Sequence, residues 1–174
     1  QIQHPKTVAV GETGLDFYID DPDIDEQYFY FEAQIELAKA AKLPLILHVR
    51  KAHDQVAKML GVHRFDQGGV VHAYSGSEQQ AKKYLDIGFV LGVGGSVTYE
   101  RAKRLRRVVK MLPNDGFVLE TDSPDLSPSF AIEQTNTPLN IPKIGDVVAE
   151  IREQSSEEIA ELTTARAKEL FRFG

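Results

Sequence analysis

The sequence predicts a parallel α/β fold, a (β/α) barrel of which five of the eight strand–helix units are present. Three observations carry this. Short apolar runs alternate with longer amphipathic segments, the pattern of a parallel sheet covered by helices. The runs are brief, which suits a barrel better than a wide open sheet. Four of them lead into a Glu, a His, a His and an Asp. Parallel α/β folds build their active sites by delivering such side chains at the C-terminal ends of strands.

Taken in order, Thr7–Val10 reads as the first buried strand. Glu26–Ala41 reads as a helix, because Tyr28, Phe31, Ile35 and Ala38 recur at helical spacing. Leu43-Pro44 ends that helix and opens a strand over Leu45–Leu47. Ala52–Leu60 is a short helix, followed by Gly61 and Gly68-Gly69 as loop punctuation and a strand over Gly69–His72. Ser77 and Gln80 are spaced as a capping box for a helix over Ser77–Ile87, which Gly88 stops. A strand over Phe89–Val93 follows. A helix over Tyr99–Leu112 comes next, with Ala102, Leu105, Val109 and Leu112 on its apolar face. Pro113–Gly116 turns the chain into a last strand, Phe117–Glu120. A Pro-, Ser-, Thr- and Asn-rich loop spans Ser123–Pro142. Helices over Lys143–Glu153 and Glu157–Phe171 close the chain, the second capped by Ser155 with Glu158.

The 174 residues fit one domain, and 42% apolar content is enough for a core without covalent staples. Cysteine is absent, which excludes disulfides, thiolate metal sites and thiol catalysis. A metal would have to be held by His and carboxylate, a donor set that suits Zn, Mn, Mg, Fe or Co. The net charge of −6 gives no global basic field from which to infer nucleic-acid binding. No stretch approaches the length of a membrane span and no secretory signal is visible, so the reading favours the cytoplasm. The chain opens Gln1-Ile2-Gln3-His4-Pro5 without an initiator Met, which reads as a processed product or a partial gene.

The candidate site residues follow from the strand ends. Glu12, in Gly11-Glu12-Thr13-Gly14-Leu15-Asp16, offers two oxygens that can bridge two ions, over glycines that let the backbone turn. His48 and His72 offer one imidazole each, and each would need an acceptor for its other nitrogen. Asp122 can take a proton from an attacking water. Each has an ordinary alternative reading alone, as a surface Glu, a packed His or a turn-opening Asp. Four such residues at the same end of four strands do not. Asp16 and Arg50 sit just past strand ends, and Arg50 can clamp a phosphate. The cluster Arg101, Lys103, Arg104, Arg106, Arg107 and Lys110 reads as a solvated helix face, with only Arg101 close enough to touch a phosphate backbone. His4, His53 and His63 read as surface or packing residues.

Val8–Tyr18 (VAVGETGLDFY), Leu43–Arg50 (LPLILHVR), Gly69–Ser77 (GVVHAYSGS) and Leu119–Pro124 (LETDSP) together resemble the TatD family of metal-dependent deoxyribonucleases. Asn136-Thr137-Pro138 resembles the family's Asn-x-Pro after its last strand. The resemblance covers nearly the whole chain and lies nearer the branch of metal-dependent hydrolases than the best-studied nuclease. It implies a TIM-type (β/α)8 barrel of the amidohydrolase type, with the last five βα units represented here. It also implies one or two divalent ions (Zn, Mg or Mn). Glu12 would bridge, His48 and His72 would ligate, and Asp122 would be ligand and proton acceptor. The implied substrate is DNA or another phosphodiester, attacked by metal-activated water. Two features depart from the family. No His-x-His pair occurs in the sequence, and Arg166 stands where the family usually has Asn. Two rival readings therefore stand beside the nuclease: an amidohydrolase or esterase acting on a non-nucleic-acid or aminoacyl substrate, and a catalytically impaired non-enzyme.

Overall fold

The computed structural model describes residues 2 and 4–172. Five strands, β1 (Val10–Asp16), β2 (Leu45–Arg50), β3 (Gly69–Val71), β4 (Phe89–Val93) and β5 (Phe117–Leu119), form one sheet in sequence order. Every adjacent pair is parallel. Six helices accompany them: α1 (Ile24–Ala41), α2 (His53–Val62), α3 (Glu78–Asp86), α4 (Lys103–Met111), α5 (Ile141–Arg152) and α6 (Ser156–Phe171). Strands that stay in sequence order, each next to its predecessor, follow the progression of a (β/α) barrel, with none of the order reversal of a doubly wound sheet.

The sheet has two distinct faces, because successive side chains point to opposite sides. Leu15, Leu45, Leu47, Val71, Leu91 and Phe117 bury against the helices in the main core. On the other face, Val70, Val90 and Val118 meet Ala167, Leu170 and Phe171 at the end of α6. Leu170 also reaches Gly68, just before β3, so α6 covers this inner face near the start of the strands. Two residues further along, the same alternation brings His48, His72 and Glu120 to the inner face at the opposite end. Packing and chemistry thus share one face, separated along the strands.

Both expected capping boxes are present. Ser77 accepts from the Gln80 amide at 3.2 Å, and Ser155 accepts from the Glu158 amide at 3.1 Å. Each is worth about 1 kcal/mol of helix stability. α5 starts at Ile141, earlier than the expected Lys143, with Pro142 in its first turn, where a missing N–H costs nothing.

Three expected boundaries are corrected. The first strand runs over Val10–Asp16 and not Thr7–Val10, so Glu12 lies within it. Its register against β2 is irregular between Val10 and Thr13, then regular from Thr13 opposite Leu47 to Asp16 opposite Arg50. Backbone pairing, not an apolar run, sustains this strand. Gly14, at φ +145°, is what permits it, since a Cβ there would collide with the His48 carbonyl. β2 likewise extends to Arg50, so His48 and Arg50 are strand residues. Finally, α4 begins at Lys103 and not Tyr99. Gly95–Thr98 forms a 3-10 turn instead, held by Thr98 Oγ1 donating to the Gly95 carbonyl at 2.7 Å. The long loop pins the same segment: Tyr99 donates to the Ser127 carbonyl at 2.9 Å and the Ser129 amide donates to Thr98 Oγ1 at 2.8 Å.

Candidate metal and catalytic site

Glu12, His48 and His72 come from three adjacent strands and converge. Each contributes one ligand-type atom, and the three atoms lie within 4.8 Å of one another. His48 Nδ1 is 3.2 Å from His72 Nε2, and His72 Nε2 is 3.7 Å from Glu12 Oε2. Donors bound tetrahedrally at ~2.0–2.1 Å from one ion stand roughly 3.4 Å apart, so these spacings fit a single divalent ion. Two imidazoles and a carboxylate are a donor set that Zn and Mn accept readily.

Asp16 explains why His48 presents Nδ1. His48 Nε2 lies 3.1 Å from Asp16 Oδ2, so the carboxylate takes the Nε2–H and leaves the Nδ1 lone pair facing His72. Burial opposes the charge on Asp16, but the Tyr18 amide and then His48 prevail and hold its carboxyl below the usual range. Gln27 of α1 fixes the strand at this point. Its side chain accepts from the Asp16 amide at 2.8 Å and donates to the Asp16 carbonyl at 2.9 Å, replacing a neighbouring strand. Gln27 carries no signal in the sequence that would mark it for this role.

Behind His72 sits Glu120, a residue not expected at the site. Its Oε1 accepts from the Ala73 amide at 2.5 Å and stands 4.0 Å from His72 Nδ1. Gly92 makes this possible, since a Cβ there would occupy the carboxylate's place. Burial pushes the Glu120 carboxyl up to about 7, against the Ala73 amide, with Asp122 and Glu12 adding repulsion. The period-2 step from Val118 could have revealed Glu120, because it puts the residue on the face that carries His72.

Asp122 lies beyond the end of β5, with Oδ1 4.0 Å from His72 Nδ1. It faces the opposite imidazole nitrogen from the one in the three-donor group and is not part of that group. Its backbone is left-handed at φ 54°, a conformation Asp tolerates better than most residues. Lys51 and Ala73, just past β2 and just after His72, are left-handed too. The loops that leave the site therefore share an unusual backbone geometry, a recurrent property of functional sites.

Asn136, almost fully buried, fastens the Asp122 loop. Its Nδ2 donates to the Thr121 carbonyl at 2.7 Å and to the Asp125 carbonyl at 2.5 Å, and its Oδ1 accepts from Asn140 at 2.8 Å. Asn136→Ala leaves the carbonyl of buried Thr121 without this donor and releases the loop at Asp125, and is expected to cost about 1–3 kcal/mol. Urea unfolding checks this, and an unchanged midpoint would show that the loop does not depend on Asn136.

The other expected residues separate. Arg50 lines a cleft of about 500 Å³ with His48, His72, Ser96 and Asp122, and its guanidinium lies 4.1 Å over the Tyr18 ring. Arg101 is exposed, stacks 4.8 Å over Tyr99, and is not among the residues lining that cleft. His63 pairs with Glu36 at 2.8 Å, as a surface residue would. Arg166 donates to Glu169 at 2.7 Å, while its Nε is buried without a partner. Among the described residues no helix is long and apolar enough to cross a membrane.

The family model described as TatD related DNase matches residues 1–172. A metal-dependent hydrolase, YjjV of Escherichia coli K12, is 41% identical over 166 residues, which cover 95% of this chain and 64% of that protein. A 3'-5' ssDNA/RNA exonuclease TatD of a Rahnella strain is 37% identical, over 96% of this chain and 66% of that protein. The chain thus spans about two thirds of the length of the curated relatives it matches. The crystal structure of E. coli YjjV, a TatD homologue, superposes with a TM-score of 0.93 at 40% identity, covering 98% of this chain and 66% of that one. An amidohydrolase from Saccharomyces cerevisiae, at 21% identity and a TM-score of 0.80, shares the fold.

Proposed function

We propose, from the premise that this chain belongs to the TatD related DNase family, that it carries the metal-binding and proton-accepting side of a hydrolase for phosphodiester bonds. Residues 1–174 then act as one domain, a segment of the family's barrel. The observation that carries the reading is the convergence of Glu12, His48 and His72, with Asp16 setting the His48 tautomer. A divalent ion bound there supplies Lewis-acid polarisation of a phosphoryl oxygen and makes a water more acidic.

The remaining work falls to the chain's own groups. Asp122 faces the same cleft and accepts the proton released as water attacks phosphorus. Arg50, held against Tyr18, presents a planar fork that matches two phosphate oxygens. Glu120 holds the loop after β3 through the Ala73 amide and so fixes how His72 enters the site. The Rahnella relative, named an exonuclease of single-stranded DNA and RNA, favours a single-stranded nucleic acid as substrate over an ester or amide.

The test pairs metal content with substrate choice. After loading with Zn, Mn or Mg and dialysis, the chain is expected to retain metal and to shorten single-stranded DNA, leaving an ester and amide panel untouched. Retained metal with turnover of esters or amides alone would favour the amidohydrolase reading. No retained metal would overturn the site. Asp16→Asn is expected to weaken metal binding by roughly 10–100-fold without loss of the fold, measured by competition with a chromogenic chelator. Unchanged affinity would remove Asp16 from the site.

A further inference from the structure

A second cavity, of about 430 Å³, lies beside the cleft and shares Ser75 with it. We infer that this groove, lined by Lys51, His53, Ser75, Gln80 and Arg104, is an accessory phosphate site that holds a neighbouring phosphate of the strand whose phosphodiester is cut in the main cleft. The inference rests on the phosphodiester reading above, and it concerns groups that reading does not use.

The groove's charge is arranged for an anion. Lys51 and Arg104 are exposed at its rim. The Lys51 ammonium lies 4.1 Å over the Tyr18 ring, the same ring that carries Arg50 at 4.1 Å. One aromatic side chain therefore places a cation at each cavity, which ties the two sites into a single track. Arg104 donates through Nη2 to the Ser75 carbonyl at 2.8 Å, and this aims the guanidinium at the segment shared by the two cavities. Asp54, the carboxylate among the lining residues, is already taken up by Lys83 at 2.7 Å and Gln80 at 3.0 Å.

The groove also contains an unmet hydrogen-bonding demand. His53 is 7% exposed, lines the cavity, and neither ring nitrogen has a hydrogen-bond partner. Tyr74 and Tyr84 pack against the ring, at 5.1 and 5.9 Å between centroids, and offer it no hydrogen bond. A buried imidazole without a partner is costly unless a ligand completes it. His53 also opens α2, where Ala52 supplies no side-chain cap, so the first-turn amides lack that partner. Two exposed cations at the rim, over a helix start without a side-chain cap and a buried imidazole without a partner, suit a ligand with several acceptor oxygens, and phosphate is such a ligand.

The test works without turnover, on the metal-free chain in chelator. Inorganic phosphate, a dinucleotide and a hexanucleotide are titrated while the His53 ring resonances are followed by NMR, assigned with His53→Gln. Phosphate is expected to shift the His53 signals. The double variant Lys51→Gln with Arg104→Gln, at two exposed positions, is expected to suppress that shift. It should also weaken the hexanucleotide about tenfold while changing the dinucleotide little. His53 signals that ignore phosphate would overturn the site. So would a double variant that binds the hexanucleotide as well as the parent does, since the groove would then hold free phosphate only. Phosphate-shifted His53 signals in a chain whose metal-loaded form never cleaves DNA would instead strike at the phosphodiester reading.

Discussion

Asp122→Asn is expected to lower hydrolysis by the metal-loaded chain by roughly 10²–10⁴-fold, the usual contribution of a positioned general base, while the metal stays bound. The two halves of this expectation rest on different observations. Retention follows because the converging donors are Glu12, His48 and His72, and Asp122 is outside that set. Loss of rate follows because Asp122 shares the cleft with Arg50 and His72, stands 4.0 Å from His72 Nδ1, and is held by Asn136 through the Thr121 and Asp125 carbonyls. Asparagine keeps the shape and can still accept a hydrogen bond, but it cannot take up a proton. Metal content by mass spectrometry and the rate on single-stranded DNA read the two halves separately. A rate within a few-fold of the parent would remove Asp122 as base. Loss of metal would make it a ligand.

The strand ends were legible because two periodicities coincide there. In Leu45-Ile46-Leu47-His48 the alternation that buries Leu45 and Leu47 among the helices turns Ile46 and His48 inward, so an apolar run already says which way its His points. The same holds for Val70 and His72. Glu120 obeys the same rule but lies inside the run Phe117–Asp122 and not at its end, where the strand-end pattern places ligands. Recognising it also requires Gly92 on the neighbouring strand, and that adjacency is a matter of sheet register, not of local sequence. The first strand departs from its sequence pattern for a related reason. Thr7–Val10 has the composition of a strand, whereas Gly11–Asp16 becomes one only by pairing with β2 across the bulge after Val10. The start of α4 could not be read locally either, because Thr98 and Tyr99 are held by Ser129 and Ser127, about thirty residues away along the chain. His53 is the clearest case. As a lone His off the strand ends it reads as packing, and it is buried, but burial without a partner is a property that only the assembled neighbourhood reveals.

That neighbourhood makes the fold sensitive to mild acid. Burial pushes the His53 imidazole down to about 4 from an ordinary 6.5; Asp54 pulls the other way and Arg104 adds to the depression. Tyr74 and Tyr84, the aromatic groups packed against it, stay neutral through this range, since burial raises both. Above pH 6.5 His53 is neutral whether the chain is folded or not, and its burial carries no protonation penalty. Between about 6.5 and 4 the unfolded chain takes up a proton that the folded chain refuses, so stability falls as the pH falls, by on the order of 3 kcal/mol in total. Below about pH 4 both states are charged and this contribution levels off. Urea midpoints at pH 7.5 and pH 4.5 are therefore expected to differ by much less in His53→Gln than in the parent, because Gln fills the site without titrating. The comparison uses the difference between two pH values in each protein, so any fixed cost of the substitution cancels. Equal pH sensitivity in the two proteins would mean that His53 is already charged or already partnered in the fold. Saturating phosphate supplies an internal check. An anion at the groove favours the protonated imidazole, so it is expected to flatten the same acid slope in the parent and to leave His53→Gln unmoved.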